Sequence, residues 1–127
     1  MSTFANESSL EPYEWKNRLI IYAATDESYD EVQKEIKANL EAIEDRNLLF
    51  FRLGETSELP FHEKLSDEEQ SSISEQFGID PDEASTVFVL VGKDGGEKAR
   101  QEEKLDLKDF FALIDTMPMR KREMRID

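Results

Sequence analysis

Hydrophobic residues in this chain alternate between short uninterrupted runs and helical stripes. Thr86-Val87-Phe88-Val89-Leu90-Val91-Gly92 is the clearest run, with apolar residues bounded on both sides by turn formers. Such a run reads as a strand covered on both faces. Arg18 to Ala24 and Asn47 to Leu53 have the same character and predict two further buried strands. Lys93-Asp94-Gly95-Gly96 follows the central run, and Asp94-Gly95 predicts a two-residue hairpin whose return strand spans Glu97 to Arg100.

Between the first two strands, Val32, Ile36, Leu40 and Ile43 line up as one apolar face, predicting a single helix over Tyr29 to Asp45. Ser28 and Glu31 have capping-box spacing at its start, with Asp30 competing for the cap. Ser66 and Glu69 repeat that spacing before a short helix carrying Ile73 and Phe77, and Gly78 stands where a left-handed cap would end it. Asp106 caps a last amphipathic helix with Leu107, Phe110, Phe111, Ile114 and Met117 inward, which Pro118 is expected to stop. Residues 54–65 lack periodicity and read as a surface loop holding the lone His62 in solvent. Trp15 precedes the first strand, and its indole is expected over the edge of the core.

The order strand, helix, strand, helix, strand, strand, helix places two parallel strands in a βαβ half and a hairpin with its helix in a ββα half. It predicts an α/β fold, a thioredoxin-like three-layer domain with a four-stranded mixed sheet and helices on both faces. Residues 1–11 are expected as a flexible arm, 12–118 as the domain and 119–127 as a basic tail.

Charge narrows the partners. A formal net charge of −14 over 127 residues disfavours nucleic acid and anionic membrane surfaces. No apolar run approaches the roughly 20 residues that span a bilayer, so membrane insertion is not expected. The first residues show no export signal, which makes the cytoplasm the default and the periplasm or exterior the alternative if an upstream signal was removed. The chain contains no cysteine, so thiol nucleophiles, disulfides and thiolate metal sites are all excluded. No cofactor is expected.

Three segments resemble one family. Trp15-Lys16-Asn17-Arg18-Leu19, then Val91-Gly92-Lys93-Asp94-Gly95-Gly96, then Phe111 through Arg125 are similar to the DUF4174 family. That family also occurs as repeated modules in the extracellular vertebrate coiled-coil domain-containing protein 80. The resemblance implies a thioredoxin- or peroxiredoxin-like fold in a bacterial protein, and transfers no catalytic residue. In such a fold reactive cysteines follow the first strand, where this chain has Thr25-Asp26-Glu27-Ser28-Tyr29-Asp30.

Two candidate sites follow. Thr25, Asp26, Glu27, Ser28 and Asp30 form an acidic loop suited to a divalent cation or to carboxylate acid/base chemistry, although acids there also serve as ordinary helix caps. Met119, Arg120, Arg122, Met124 and Arg125 form a basic, methionine-bearing tail suited to an acidic protein partner or a second copy of the chain. The plainer alternative for the tail is pairing with acids of its own chain. A non-catalytic binding or adaptor domain is the expected function, with a carboxylate- or metal-dependent enzyme as the alternative.

Overall fold

The computed structural model describes residues 10–83 and 85–124. Its four strands are β1 (Arg18–Ala23), β2 (Leu48–Arg52), β3 (Val87–Val91) and β4 (Glu97–Glu102). The helices are α1 (Asp26–Lys37), α2 (Leu40–Asp45), α3 (Asp67–Phe77), α4 (Leu107–Ile114) and α5 (Pro118–Met124). The sheet runs β2-β1-β3-β4, with β1 parallel to β2 and both other pairings antiparallel. This is the thioredoxin-like mixed sheet expected from the element order.

Side-chain alternation along the strands builds two cores. Ile20, Tyr22, Phe50, Phe88 and Leu90 pack with Val32, Ile36, Ile43, Phe110 and Ile114 from α1, α2 and α4. Leu19, Ile21, Phe51, Val89 and Val91 face the other way, against Ile73 and Phe77 of α3 and Leu10. Each fully buried large side chain stabilises the fold by about 1.5–3 kcal/mol, so a strand covered on both faces contributes at every position. The arm expected over residues 1–11 lies outside the described residues up to 9. Leu10 is buried and Glu11–Tyr13 form a 3-10 helix, so those last positions belong to the domain.

Both sheet edges are protected from pairing with another chain. On β2, the Phe50 N–H donates to the Phe61 carbonyl at 2.7 Å and the Glu63 N–H to the Phe50 carbonyl at 3.1 Å. On β4, the charged residues Glu97, Lys98, Arg100 and Glu102 line the open edge.

Local capping departs from the simplest reading of the pattern at several points. Thr25 caps α1, accepting from the Ser28 N–H at 3.2 Å, so the helix starts earlier than a Ser28 cap allows. The expected single helix over 29–45 is broken between α1 and α2, where the Asn39 side chain donates to the Glu35 carbonyl at 2.8 Å. The break rotates Leu40 outward to 39% exposure while Ile43 stays buried. The α3 start conforms: Ser66 and Glu69 form a reciprocal capping box, and Gly78 takes φ 65° at the end. The β3–β4 turn holds three residues, Lys93, Asp94 and Gly95, between Gly92 and Gly96, which pair at 2.9 Å. Gly95 alone carries the positive φ, at 85°, as a turn with one left-handed residue requires.

Pro118 does not end the ordered chain. It opens α5, because a residue lacking an N–H is tolerated at the first helical position, where that donor has no intrahelical partner. The segment expected as a basic tail is therefore helical through Met124, and Arg125 lies outside the described residues.

Candidate functional site

Register brings the first site together. Ala23 at the end of β1 pairs with Val87 at the start of β3, which pairs with Glu102 at the end of β4. The chain leaves β1 and β4 and enters β3 at this end of the sheet. A cleft of about 640 Å³ opens there, walled by Thr25, Glu27 and Ser28 on one side and by Ser85, Thr86, Glu102 and Glu103 on the other. Of the residues expected at this corner, Thr25, Glu27 and Ser28 line the cleft. Asp26 and Asp30 are exposed and do not.

The two threonine hydroxyls at the corner serve the backbone. Thr25 Oγ1 caps α1, and Thr86 Oγ1 accepts from the Thr25 N–H at 3.3 Å, tying the β1 exit to the β3 entry. Thr86 in turn accepts through its carbonyl from the Glu103 N–H at 2.9 Å, holding Glu103 at φ 67°. Glu27, Glu102 and Glu103 make the cleft acidic, and no Lys or Arg lines it among the described residues. Among those residues, no group of three His, Cys, Asp or Glu side chains gathers closely enough to hold a metal ion.

The DUF4174 family, described as a domain of unknown function, matches residues 9–123. The chain belongs to the DUF4174 family. This DUF4174 domain is similar in structure to the reduced 2-Cys peroxiredoxin of Plasmodium vivax, with a TM-score of 0.62 at 16% identity over 89% of this chain and 84% of that one. It is similar also to thioredoxin peroxidase I of Plasmodium yoelii, with a TM-score of 0.60 at 16% identity, covering 93% and 81% of the two chains. No curated protein matches it. Likeness at this identity establishes the fold alone.

The second expected site resolves differently. Arg120 is only 4% exposed and is not a contact residue for a partner. Its guanidinium binds Asp45 Oδ2 at 2.5 Å and Asp115 Oδ1 at 3.1 Å, pinning α5 to the carboxy-terminal ends of α2 and α4. Pairing with acids of its own chain is therefore the role the structure gives it. Arg46 also binds Asp115, at 2.8 Å, and lies over the Phe111 ring at 4.4 Å. Glu123 is shared by Arg18 at 3.2 Å and Lys93 at 2.6 Å, with Arg120 at 3.7 Å. Burial alone would push the Glu123 carboxyl up, but hydrogen bonds from Lys93 and Arg18 outweigh it and hold it below the ordinary 4.5. Asp115 is held low in the same way by Arg46 and Arg120 against the effect of burial. Met119 is half-buried, Arg122 is exposed and Met124 is 41% exposed.

His62 overturns the expectation of a solvated imidazole. Because residues 61–63 run along the edge of β2, its ring is half-buried and stacks on Phe50, with centroids 5.2 Å apart. His62 Nδ1 lies 3.0 Å from the Pro60 carbonyl, which can only accept, so Nδ1 carries the proton in the neutral ring. Nε2 then accepts from the Tyr22 hydroxyl at 2.7 Å. Burial lowers the His62 pKa and raises that of Tyr22, so both groups stay neutral at pH 7. Beside them the Tyr29 hydroxyl meets Ser57 Oγ at 2.5 Å, and the buried Arg52 lies 3.7 Å over the Tyr29 ring.

The sequence pattern gave no sign of the Tyr22–His62 contact, which crosses 40 residues. Ser85, Thr86, Glu102 and Glu103 could have been placed at the corner once the hairpin partner of β3 was assumed, since the end of β4 must then lie beside the end of β1.

Proposed function

We propose that this DUF4174 domain is a non-catalytic binding domain, a thioredoxin-like scaffold that holds a partner through the corner after β1 and carries out no thiol chemistry there. One observation carries the reading. The polar groups of that corner are all oxygen groups, and its two threonine hydroxyls are committed to backbone N–H groups. Among the described residues no nucleophile and base stand hydrogen-bonded to each other at the cleft, as covalent chemistry requires.

Three carboxylates, from Glu27, Glu102 and Glu103, give the corner a negative face that complements a lysine- or arginine-bearing segment of a protein partner. Self-association through the sheet edges is disfavoured by the charged β4 edge and by residues 61–63 lying along β2.

A photo-crosslinker placed at the exposed Ser85 tests this in extracts of the native cell. A discrete adduct is expected that disappears in the Glu27→Lys, Glu102→Lys, Glu103→Lys variant and is not formed from a crosslinker at Glu75 on α3. The same adducts from both positions, or adducts indifferent to the charge reversal, would remove the corner as a docking site.

A further inference from the structure

At the other end of the sheet lies a second cleft, of about 260 Å³, between the β3–β4 turn and the start of α5. Its walls combine two chemistries. Part of the lining is apolar, Trp15, Met117, Pro118 and Met119, and part is cationic, Arg18, Lys93 and Lys98 against the single acid Asp94.

Trp15 is held in place at backbone cost. It takes φ 68°, a left-handed conformation disfavoured for any residue with a side chain, and its N–H donates to the Lys93 carbonyl at 2.7 Å. That arrangement leaves the indole 62% exposed at the rim, where an apolar side chain gains nothing from solvent. Met117 and Met119 in the lining are half-buried, and their flexible thioethers adapt to the shape of an apolar guest.

The cations are in excess. Arg18 and Lys93 share Glu123, which also faces Arg120, and Arg18 Nε has no hydrogen-bond partner among the described residues. Lys98 lies across Gly92, where an added Cβ would come within 2.5 Å of its Cε, and its ammonium meets Asp94 at 2.8 Å while remaining 33% exposed. In a chain of net charge −14 this is a local positive site, and its complement is an anion.

We propose that the cleft binds a small carboxylate carrying one aromatic or branched apolar group, its body between Trp15 and Met119 and its carboxylate on Lys98. The size agrees: a cavity of about 150 Å³ accommodates benzene, so the volume here leaves room for one ring and a short acid arm. The site is at the opposite end of β1 from the acidic corner and stands or falls independently of it.

Trp15 is the only tryptophan, so its fluorescence reports on this cleft alone. Titrating the full chain with 3-phenylpropionate is expected to give a saturable emission change, with methyl shifts at Met117 and Met119 in NMR. The isosteric 3-phenylpropionamide should bind about tenfold more weakly, as loss of a charge-assisted hydrogen bond predicts. Lys98→Met should weaken the acid similarly and leave the amide unchanged, with its thermal midpoint showing that the fold is intact. No saturable change at millimolar acid, equal binding of acid and amide, or binding indifferent to Lys98→Met would each overturn the proposal.

Discussion

Glu123→Gln tests the charge cluster that fastens the carboxy-terminal helix to the sheet. The wild-type carboxylate faces Arg18 and Lys93, whose side chains are 1% and 9% exposed, and is itself 25% exposed. The substitution preserves size and one acceptor oxygen but leaves two buried cations without their counter-charge. Breaking a buried pair costs about 3–5 kcal/mol, and the partial exposure of Glu123 points to the lower end, about 3 kcal/mol. With a urea m-value of about 2 kcal/mol/M for a domain of this size, the midpoint should fall by about 1.5 M. That loss is a large share of the roughly 5–15 kcal/mol that holds a domain folded. Adding Lys93→Met should recover part of the loss, since it removes one of the stranded charges. The wild-type contribution has a definite pH dependence. A carboxyl held below its unfolded value of 4.5 stabilises the fold fully above that pH and loses its effect as pH falls through the lower folded value, so the variant's acid limb should be shallower. Equilibrium urea unfolding at pH 7 and pH 4 gives both quantities. A loss below about 0.5 kcal/mol, the range of exposed pairs, would refute the reasoning, as would additivity of the two substitutions.

Three further outcomes follow. His62 is held below its ordinary 6.5, so the unfolded chain takes up the proton first as pH drops, and stability should decline from about pH 6.5 downward; His62→Gln should flatten that slope in thermal melts between pH 7 and 5. Ser66→Ala removes the acceptor for the Glu69 N–H and should cost about 1 kcal/mol by urea unfolding, with a cost near zero contradicting the capping box. Gly78→Ala meets no atom within 4 Å, so any loss reports backbone strain at φ 65°; about 1 kcal/mol is expected, and a stabilised variant would contradict it.

Much of the architecture was legible because strand and helix patterns are local. Val87 to Val91 is apolar at every position since both faces of the sheet are covered, and the Ser66 and Gly78 signals marked the two ends of α3. Failures occurred where two local signals competed. Leu40 fitted the apolar stripe of one long helix, but the bond from Asn39 to the Glu35 carbonyl accompanied a break that turned it outward. Pro118 was read only as the stop of α4, which does end before it at Ile114, although the same missing N–H also suits the start of α5.

By itself, the sequence determined the strand order, the mixed sheet and the absence of thiol chemistry, because each depends on residue type and short-range spacing. Tertiary structure alone decided which charges are buried and what they meet. Arg18 and Glu123 are 105 positions apart, and only the turn of α5 back over the end of the sheet brings them together. The same closure buries Arg120 and leaves Trp15 at the rim of a cleft, while the run of residues 61–63 along the edge of β2 sets His62 against Tyr22. Burial and electrostatic pairing depend on what the fold places above a residue, and no spacing along the chain records that.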